Sequence, residues 1–208
     1  MSYWIKTPLL IQIVFSKIIW KLQSNKKEIY LTFDDGPSSI TLEILHVLEK
    51  ENIKVTFFCT GDNVKRYPKL YDKIISAGHS VGNHSMTHLN GWKVDKKKYL
   101  FDVKKGSELI NSNLFRPPYG KINIRSISKL KKKFNIIMWD INSGDFDHGI
   151  SSKEVISNVV ASSRNGSIVV LHDNKNFKSL TIPSLLPIIK GLKEKGFSFR
   201  AIPYHPLK

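Results

Sequence analysis

Two adjacent carboxylates, Asp34 and Asp35, end a short run rich in β-branched and aromatic residues, Ile29 to Phe33, and are followed at once by Gly36-Pro37. Carboxylates where a strand gives way to a Gly-Pro turn can accept a proton or bind a metal ion. Spacing alone does not rank one above the other for either task. Further on, His84-Ser85-Met86-Thr87-His88 carries two histidines four residues apart. If that segment is helical, both project from one face and can share a single metal ion, with one Asp completing a two-histidine, one-carboxylate set. Three protein ligands and an open position is the arrangement of a catalytic zinc, and the single cysteine, Cys59, excludes the usual cysteine-rich structural site. Paired histidines can equally be polar surface residues. Three more segments deliver polar groups in the same way: Arg116-Pro117-Pro118-Tyr119-Gly120, the stretch from Trp139 to Asp145-Phe146, and Leu171-His172-Asp173. Taken singly, Arg116 reads as a structural ion-pair residue, His172 as a hydrogen-bonded rim histidine and Trp139 as a strand aromatic of the core; their shared placement argues for a common site.

That placement follows from the elements. Strands are expected at 28–33, 54–60, 79–83, 114–118, 136–141, 167–172 and 197–202, separated by helical patterns at 39–51, 64–77, 94–112, 123–134, 152–163 and 183–195. Gly78 and Gly196 stand just behind their helices as stops. Repeated strand-helix units make an α/β fold around a mainly parallel sheet, and periodicity leaves a barrel and an open doubly wound sheet both available. In either, ligands gather at the carboxyl ends of the strands, where the residues named above fall.

With 208 residues the chain reads as one compact domain, 26–208, preceded by an amino-terminal extension, 1–25. Hydrophobic residues at 41% and charged residues at 24% exclude a disordered chain or a multispan membrane protein. Cys59 lies in an apolar run and reads as a buried strand thiol. In the extension, Thr7-Pro8 can open an amphipathic helix whose polar stripe is Gln12, Ser16, Lys17, Lys21 and Ser24. This helix either covers an open side of the domain or lies in a membrane interface. Lys6, Pro8, Gln12 and Lys17 interrupt any transmembrane span, and no small-residue cleavage site follows, so a cytoplasmic or membrane-peripheral location is favoured over export. The 33 Lys+Arg against 17 Asp+Glu give +16, which favours anionic partners. An anionic membrane or envelope surface suits that charge; nucleic acid is not expected, because no nucleic-acid motif or lysine-interleaved aromatic array occurs. Oligomeric state is not legible.

The residues resemble the five motifs of the polysaccharide deacetylases, carbohydrate esterase family 4 or the NodB homology domain. Thr32-Phe33-Asp34-Asp35-Gly36-Pro37, His84-Ser85-Met86-Thr87-His88, Arg116-Pro117-Pro118-Tyr119-Gly120, the stretch ending at Asp145-Phe146, and Leu171-His172 occur in that order, across about 28–202. The resemblance implies a distorted (β/α)7-type barrel with parallel strands. It implies a divalent metal, usually zinc, held by Asp35, His84 and His88, with Asp34 as base and His172 as acid. Arg116 would partner Asp34, Asp145 would partner His172, and the Tyr119 backbone N–H would hold the oxyanion as a metal-bound water attacks an acetyl carbonyl. Phe146 stands where the family usually has Trp, keeping an apolar wall without the indole N–H. Tyr119, Trp139 and Phe146 are the expected substrate-contacting residues. The implied activity is removal of N-acetyl groups from amino sugars of a chitooligosaccharide- or peptidoglycan-type glycan. The alternatives are an O-acetyl, xylan-type esterase and a non-catalytic protein that binds a glycan or anionic polymer.

Overall fold

The computed structural model describes residues 3–207, so the first two residues of the extension and Lys208 lie outside it. Its centre is β1 (Glu28–Asp35), buried along nearly its whole length. Alternation divides β1 cleanly: Ile29, Leu31 and Phe33 join the main hydrophobic cluster, while Tyr30, Thr32 and Asp34 face the other way, into the concave side of the sheet. The remaining strands are β2 (Thr56–Cys59), β3 (Ser80–Asn83), β4 (Leu114–Phe115), β5 (Asn135–Ile136), β6 (Ile141–Asn142), β7 (Ile168–His172) and β8 (Ser198–Phe199). All ladders are parallel, in the order β5-β4-β3-β2-β1-β7-β6, with β8 pairing the start of β1. The two edge strands are consecutive in sequence and joined only by residues 137–140. The barrel is thus closed by covalent chain rather than by a ladder, a curled parallel sheet of the expected α/β class.

The expected strand at 136–141 is therefore two short strands on opposite edges. The amino-terminal segment occupies the gap: Ile19 N–H donates to the Ile136 carbonyl at 2.9 Å, Met138 N–H to the Ile19 carbonyl at 2.7 Å, and Thr7 N–H to the Asp140 carbonyl at 2.9 Å. With β-bridges from Lys6 to Ile141, Ile19 to Ile137 and Lys21 to Ser167, these bonds tie the segment to the sheet edges, so the long helix expected from Pro8 to Ser24 does not form. Only α1 (Leu9–Val14) is helical. Edge carbonyls and N–H groups that need partners outweigh the helical periodicity of residues 7–24.

Helices α2 (Thr41–Lys50), α3 (Gly61–Arg66), α4 (Pro68–Ser76), α5 (Lys96–Ser107), α6 (Ile124–Leu130), α7 (Ser152–Ser162) and α8 (Lys178–Glu194) cover the outside. The single helix expected at 64–77 is broken before Pro68, which takes the first position of α4. Helix α8 begins five residues before the expected Pro183, because Leu180 and Thr181 are buried there and their packing outweighs two internal prolines. Gly78 and Gly196 end their helices at φ 78° each, as expected of a left-handed stop. Cys59 is fully buried. No helix among the described residues is long and apolar enough to cross a membrane.

Candidate metal-dependent hydrolase site

Both carboxylates of the Asp34-Asp35 pair turn into the concave face, which strict strand alternation would forbid. Asp35 leaves the strand at φ 76°, a left-handed conformation that Asp tolerates, and this rotates its side chain to the same side as Asp34. His84 Nε2 then lies 3.9 Å from Asp34 Oδ2 and 3.7 Å from Asp35 Oδ1. His88 Nε2 is 3.1 Å from the same Asp35 oxygen. Asp35, His84 and His88 thus offer three ligand atoms within 4.8 Å of one another.

The histidines are not on a helix, although their spacing fits one. They sit on a tight loop after β3 with left-handed residues at Ser85 (φ 66°) and His88 (φ 58°). Local side chains build that loop: Asn83 Oδ1 accepts from Ser85 N–H at 2.7 Å, and Ser85 Oγ accepts from His88 N–H at 3.0 Å. Asp102, on α5, accepts from Met86 and Thr87 N–H at 3.2 Å each and from the Thr87 hydroxyl at 2.8 Å. Helix α5 comes this close only because of Gly106, where a Cβ would stand 2.6 Å from Asn83 Oδ1 and 2.8 Å from the Ser85 carbonyl carbon. Short polar side chains make a turn preferable to a helix here.

The donor chemistry fits a divalent cation. His84 Nδ1 lies 2.8 Å from the Arg116 carbonyl, which can only accept, so Nδ1 carries the proton and Nε2 presents its lone pair. Burial, reinforced by His88 and only partly offset by Asp34, Asp35 and the Arg116 carbonyl, pushes the His84 pKa down to about 4, which keeps the ring neutral. Burial alone would raise the Asp35 carboxyl; the His88 hydrogen bond and the nearby His172, His88 and His84 outweigh it and hold Asp35 well below the ordinary carboxylate range. Asn174 Nδ2 donates to Asp35 Oδ2 at 2.9 Å, leaving Oδ1 toward the histidines. Two imidazoles and one carboxylate suit zinc and its neighbours better than calcium or magnesium.

Arg116 is fully buried and organises the floor. Its Nη1 donates to Asp34 Oδ1 at 2.7 Å and to Thr32 Oγ1 at 2.6 Å, its Nη2 to the Met138 carbonyl at 3.0 Å and its Nε to the Ile137 carbonyl at 3.3 Å. The guanidinium lies 4.1 Å from the centre of the Phe58 ring. On the next strand, β1–β7 register places His172 beside Asp34. His172 Nδ1 is 2.7 Å from Asp145 Oδ1, and Asp145 is itself fixed by Ser143 Oγ at 3.0 Å, the His172 N–H at 2.8 Å and Thr181 Oγ1 at 2.7 Å. Burial opposes charge on His172, but Asp145, then Asp35 and Asp34, raise its pKa to about 9. At neutral pH the ring is an imidazolium with Nε2–H free of Asp145. Asp173, next along, accepts from Ser38 Oγ at 2.7 Å and Thr41 Oγ1 at 2.6 Å, and burial raises it to about 6. It clamps the turn that follows the two aspartates, where a Cβ on Gly36 would collide with its Oδ2.

The apolar walls differ from the expectation in detail. Phe146 packs edge-on to His172 at 5.5 Å, but it does so together with Phe177, 5.4 Å from the same imidazole, and Tyr3 covers Phe146 from outside at 5.0 Å. Tyr119 is exposed, at φ 58°, with its ring 4.5 Å from that of His88. Trp139 is half-buried between two hydrophobic clusters, 5.6 Å from the Arg116 guanidinium, and supports the Tyr119-Gly120 turn from behind. Trp92, by contrast, is 65% exposed and held in place. Its indole N–H donates to the Ile122 carbonyl at 3.0 Å and Lys121 Nζ lies 4.0 Å from its ring, tying the His88 loop to the Tyr119 loop.

The sequence reading missed Asn174, Phe177, Thr181, Asp102 and Trp92. Asn174 could have been found from its place directly behind His172-Asp173. Asp102 lies inside the helical pattern at 94–112 and Thr181 just before the one at 183–195, and neither carries a local signal.

A curled parallel sheet with carboxylates and imidazoles converging at the carboxyl ends of its strands defines a metal-dependent hydrolase. The chain belongs to the polysaccharide deacetylase family, whose model matches residues 21–135, and that family is metal-dependent. It is 34% identical over 188 residues to a peptidoglycan-N-acetylglucosamine deacetylase of Bacillus cereus, covering 86% of this chain and 68% of that protein. It is 32% identical over 200 residues to a chitooligosaccharide deacetylase of Rhizobium leguminosarum bv. trifolii, covering 86% and 92%. Among solved structures it superposes on the Bc1960 peptidoglycan N-acetylglucosamine deacetylase with a TM-score of 0.87 at 31% identity, over 95% of both chains.

Proposed function

We propose that this chain hydrolyses the N-acetyl groups of N-acetylglucosamine units in a chitooligosaccharide- or peptidoglycan-type glycan, with zinc held by Asp35, His84 and His88. The observation that carries the reading is the convergence of Asp34 and Asp35 on His84 while an imidazolium, His172, stands on the neighbouring strand. When bound, the cation supplies Lewis acidity, acidifying a water molecule and polarising the acetyl oxygen. Asp34 takes the water's proton on Oδ2, since Oδ1 is engaged by Arg116. The water oxygen bonds to the carbonyl carbon, and the Tyr119 backbone N–H steadies the negative charge on the carbonyl oxygen. His172 then gives the proton on Nε2 to the amide nitrogen as the carbon–nitrogen bond breaks, and acetate and a free amine leave. Asp145 keeps that proton on His172 and fixes the ring's orientation. Phe146 and Phe177 line the acetyl side of His172, and Tyr119 and Trp92 offer ring faces to the sugars.

The test is acetate release from N-acetylglucosamine oligomers, peptidoglycan and acetylated xylan by metal-stripped protein, with and without zinc. Zinc-restored release from either amino-sugar substrate is the expected result. Release from xylan alone would convert the assignment to an O-acetyl esterase, and silence on all three with zinc bound would overturn it.

A further inference from the structure

The short helix α1 has no buried residue. Leu9, Leu10, Ile13 and Val14 are 65%, 70%, 59% and 66% exposed, and Trp4 just before them is 60% exposed. Positions 9, 10, 13 and 14 fall on one side of a helix, so the four side chains form one outward apolar face. Such a contiguous patch marks a surface that something covers.

The charge around it says what. Residues 1–27 contain five lysines and no Asp or Glu, and residues 109–139 contain seven Lys or Arg and again no acid. The two segments are one surface in the fold: Ile18, Phe15 and Trp20 share a hydrophobic cluster with Ile127, Leu130 and Phe134, and Ile19 hydrogen-bonds to Ile136. Leaving out Arg116, which is buried against Asp34, the two segments hold eleven of the 33 cations and none of the 17 carboxylates. Lys6, Lys17, Arg125, Lys129, Lys131, Lys132 and Lys133 are all exposed on this side.

We propose that α1, with Trp4 and the cationic surface shared with α6, is a docking face for an anionic lipid bilayer. Leucine, isoleucine and tryptophan entering the interface while lysines reach the headgroups is the pattern of a membrane-surface element. A second copy of this chain would bring the same cationic surface against itself, and a nucleic acid would leave the α1 side chains uncovered. The face stands next to the site: Thr7 Oγ1 donates to the Trp139 carbonyl at 2.9 Å, and Tyr3 packs on Phe146. A docked chain would thus hold its catalytic mouth close to the bilayer, a consequence that rests on the function proposed above; the docking itself does not.

The experiment is vesicle flotation with phosphatidylcholine alone and with phosphatidylcholine containing phosphatidylglycerol, using the full chain, the Leu10→Glu/Ile13→Glu double variant and the Lys131→Ser/Lys132→Ser/Lys133→Ser triple variant. Binding only to the anionic vesicles, weakened by salt, is expected. The double variant should lose at least about tenfold in affinity. The triple variant should lose affinity and part of the salt dependence. Circular dichroism and acetate release from soluble oligomers should stay at the parent level, separating a docking defect from a catalytic one. Equal binding to neutral vesicles, undiminished binding by the double variant, or a dimer that the double variant dissolves in the absence of any vesicle binding would each overturn the proposal.

Discussion

Replacing Arg116 with methionine tests how the floor of the site is held. The guanidinium is fully buried, and the carboxylate it meets, on Asp34, belongs to a residue only 3% exposed. Methionine keeps apolar bulk over Phe58 but removes the hydrogen bonds to Asp34, Thr32 and the Ile137 and Met138 carbonyls. Thr32 keeps its own bond to the Val169 carbonyl, so the main cost is a buried negative charge without its partner. Breaking such a pair costs about 3–5 kcal/mol. For a chain of this length that corresponds to a fall in Tm of roughly 6–20 °C. Urea unfolding of the metal-free protein, followed by tryptophan fluorescence, measures the cost without any contribution from lost metal binding. Adding Asp34→Asn removes the stranded charge, so Asp34→Asn/Arg116→Met should cost less than the sum of the single variants by on the order of 1–3 kcal/mol. An Arg116→Met protein within about 1 kcal/mol of the parent, or strict additivity with Asp34→Asn, would refute the argument.

Because His172 is raised from 6.5 to about 9 by Asp145, kcat/KM should fall as pH rises through about 9, and Asp145→Asn should move that alkaline limb to lower pH. The same pair stabilises the fold in full below about pH 6.5 and loses its contribution as pH climbs to about 9, because the native state binds the proton more tightly; urea midpoints across that window check the sign. His84→Ala should abolish tight zinc binding, and Asn174→Ala, which frees Asp35 Oδ2, should weaken it roughly 10–100-fold in competition with a chromophoric chelator; parent-like affinity in both would remove Asp35 and His84 from the ligand set. Trp92→Ala should raise KM for N-acetylglucosamine oligomers about tenfold with kcat little changed, and an unchanged KM would exclude its ring from sugar contact.

Much of the site is visible in one dimension because parallel strand-helix repeats send every strand's carboxyl end to the same rim. Asp34, Asp35, Arg116, Asp145 and His172 could be gathered there before any coordinates, and the structure brings all five together with His84 and His88. What hid from the sequence is what depends on distant partners. A histidine pair four apart looks helical, but Asn83, Ser85 and Asp102 make the segment a loop. Alternation alone would send Asp34 and Asp35 to opposite faces, and only the left-handed turn at Asp35 aims both at His84.

The sequence by itself determined the α/β class, the strand ends that carry polar groups, the residue types that could hold a metal ion and the excess of positive charge, because each is a property of local pattern or composition. Tertiary structure alone decided that residues 7–24 abandon a helix to satisfy the open edges left by β5 and β6, which leaves α1 with an uncovered apolar face. It alone decided that Thr181 and Asn174 fix Asp145 and Asp35 from α8 and from the turn beyond β7. A backbone edge or a carboxylate oxygen must find a hydrogen-bond partner somewhere, and which residue answers depends on what the fold brings near, not on what stands beside it in the chain.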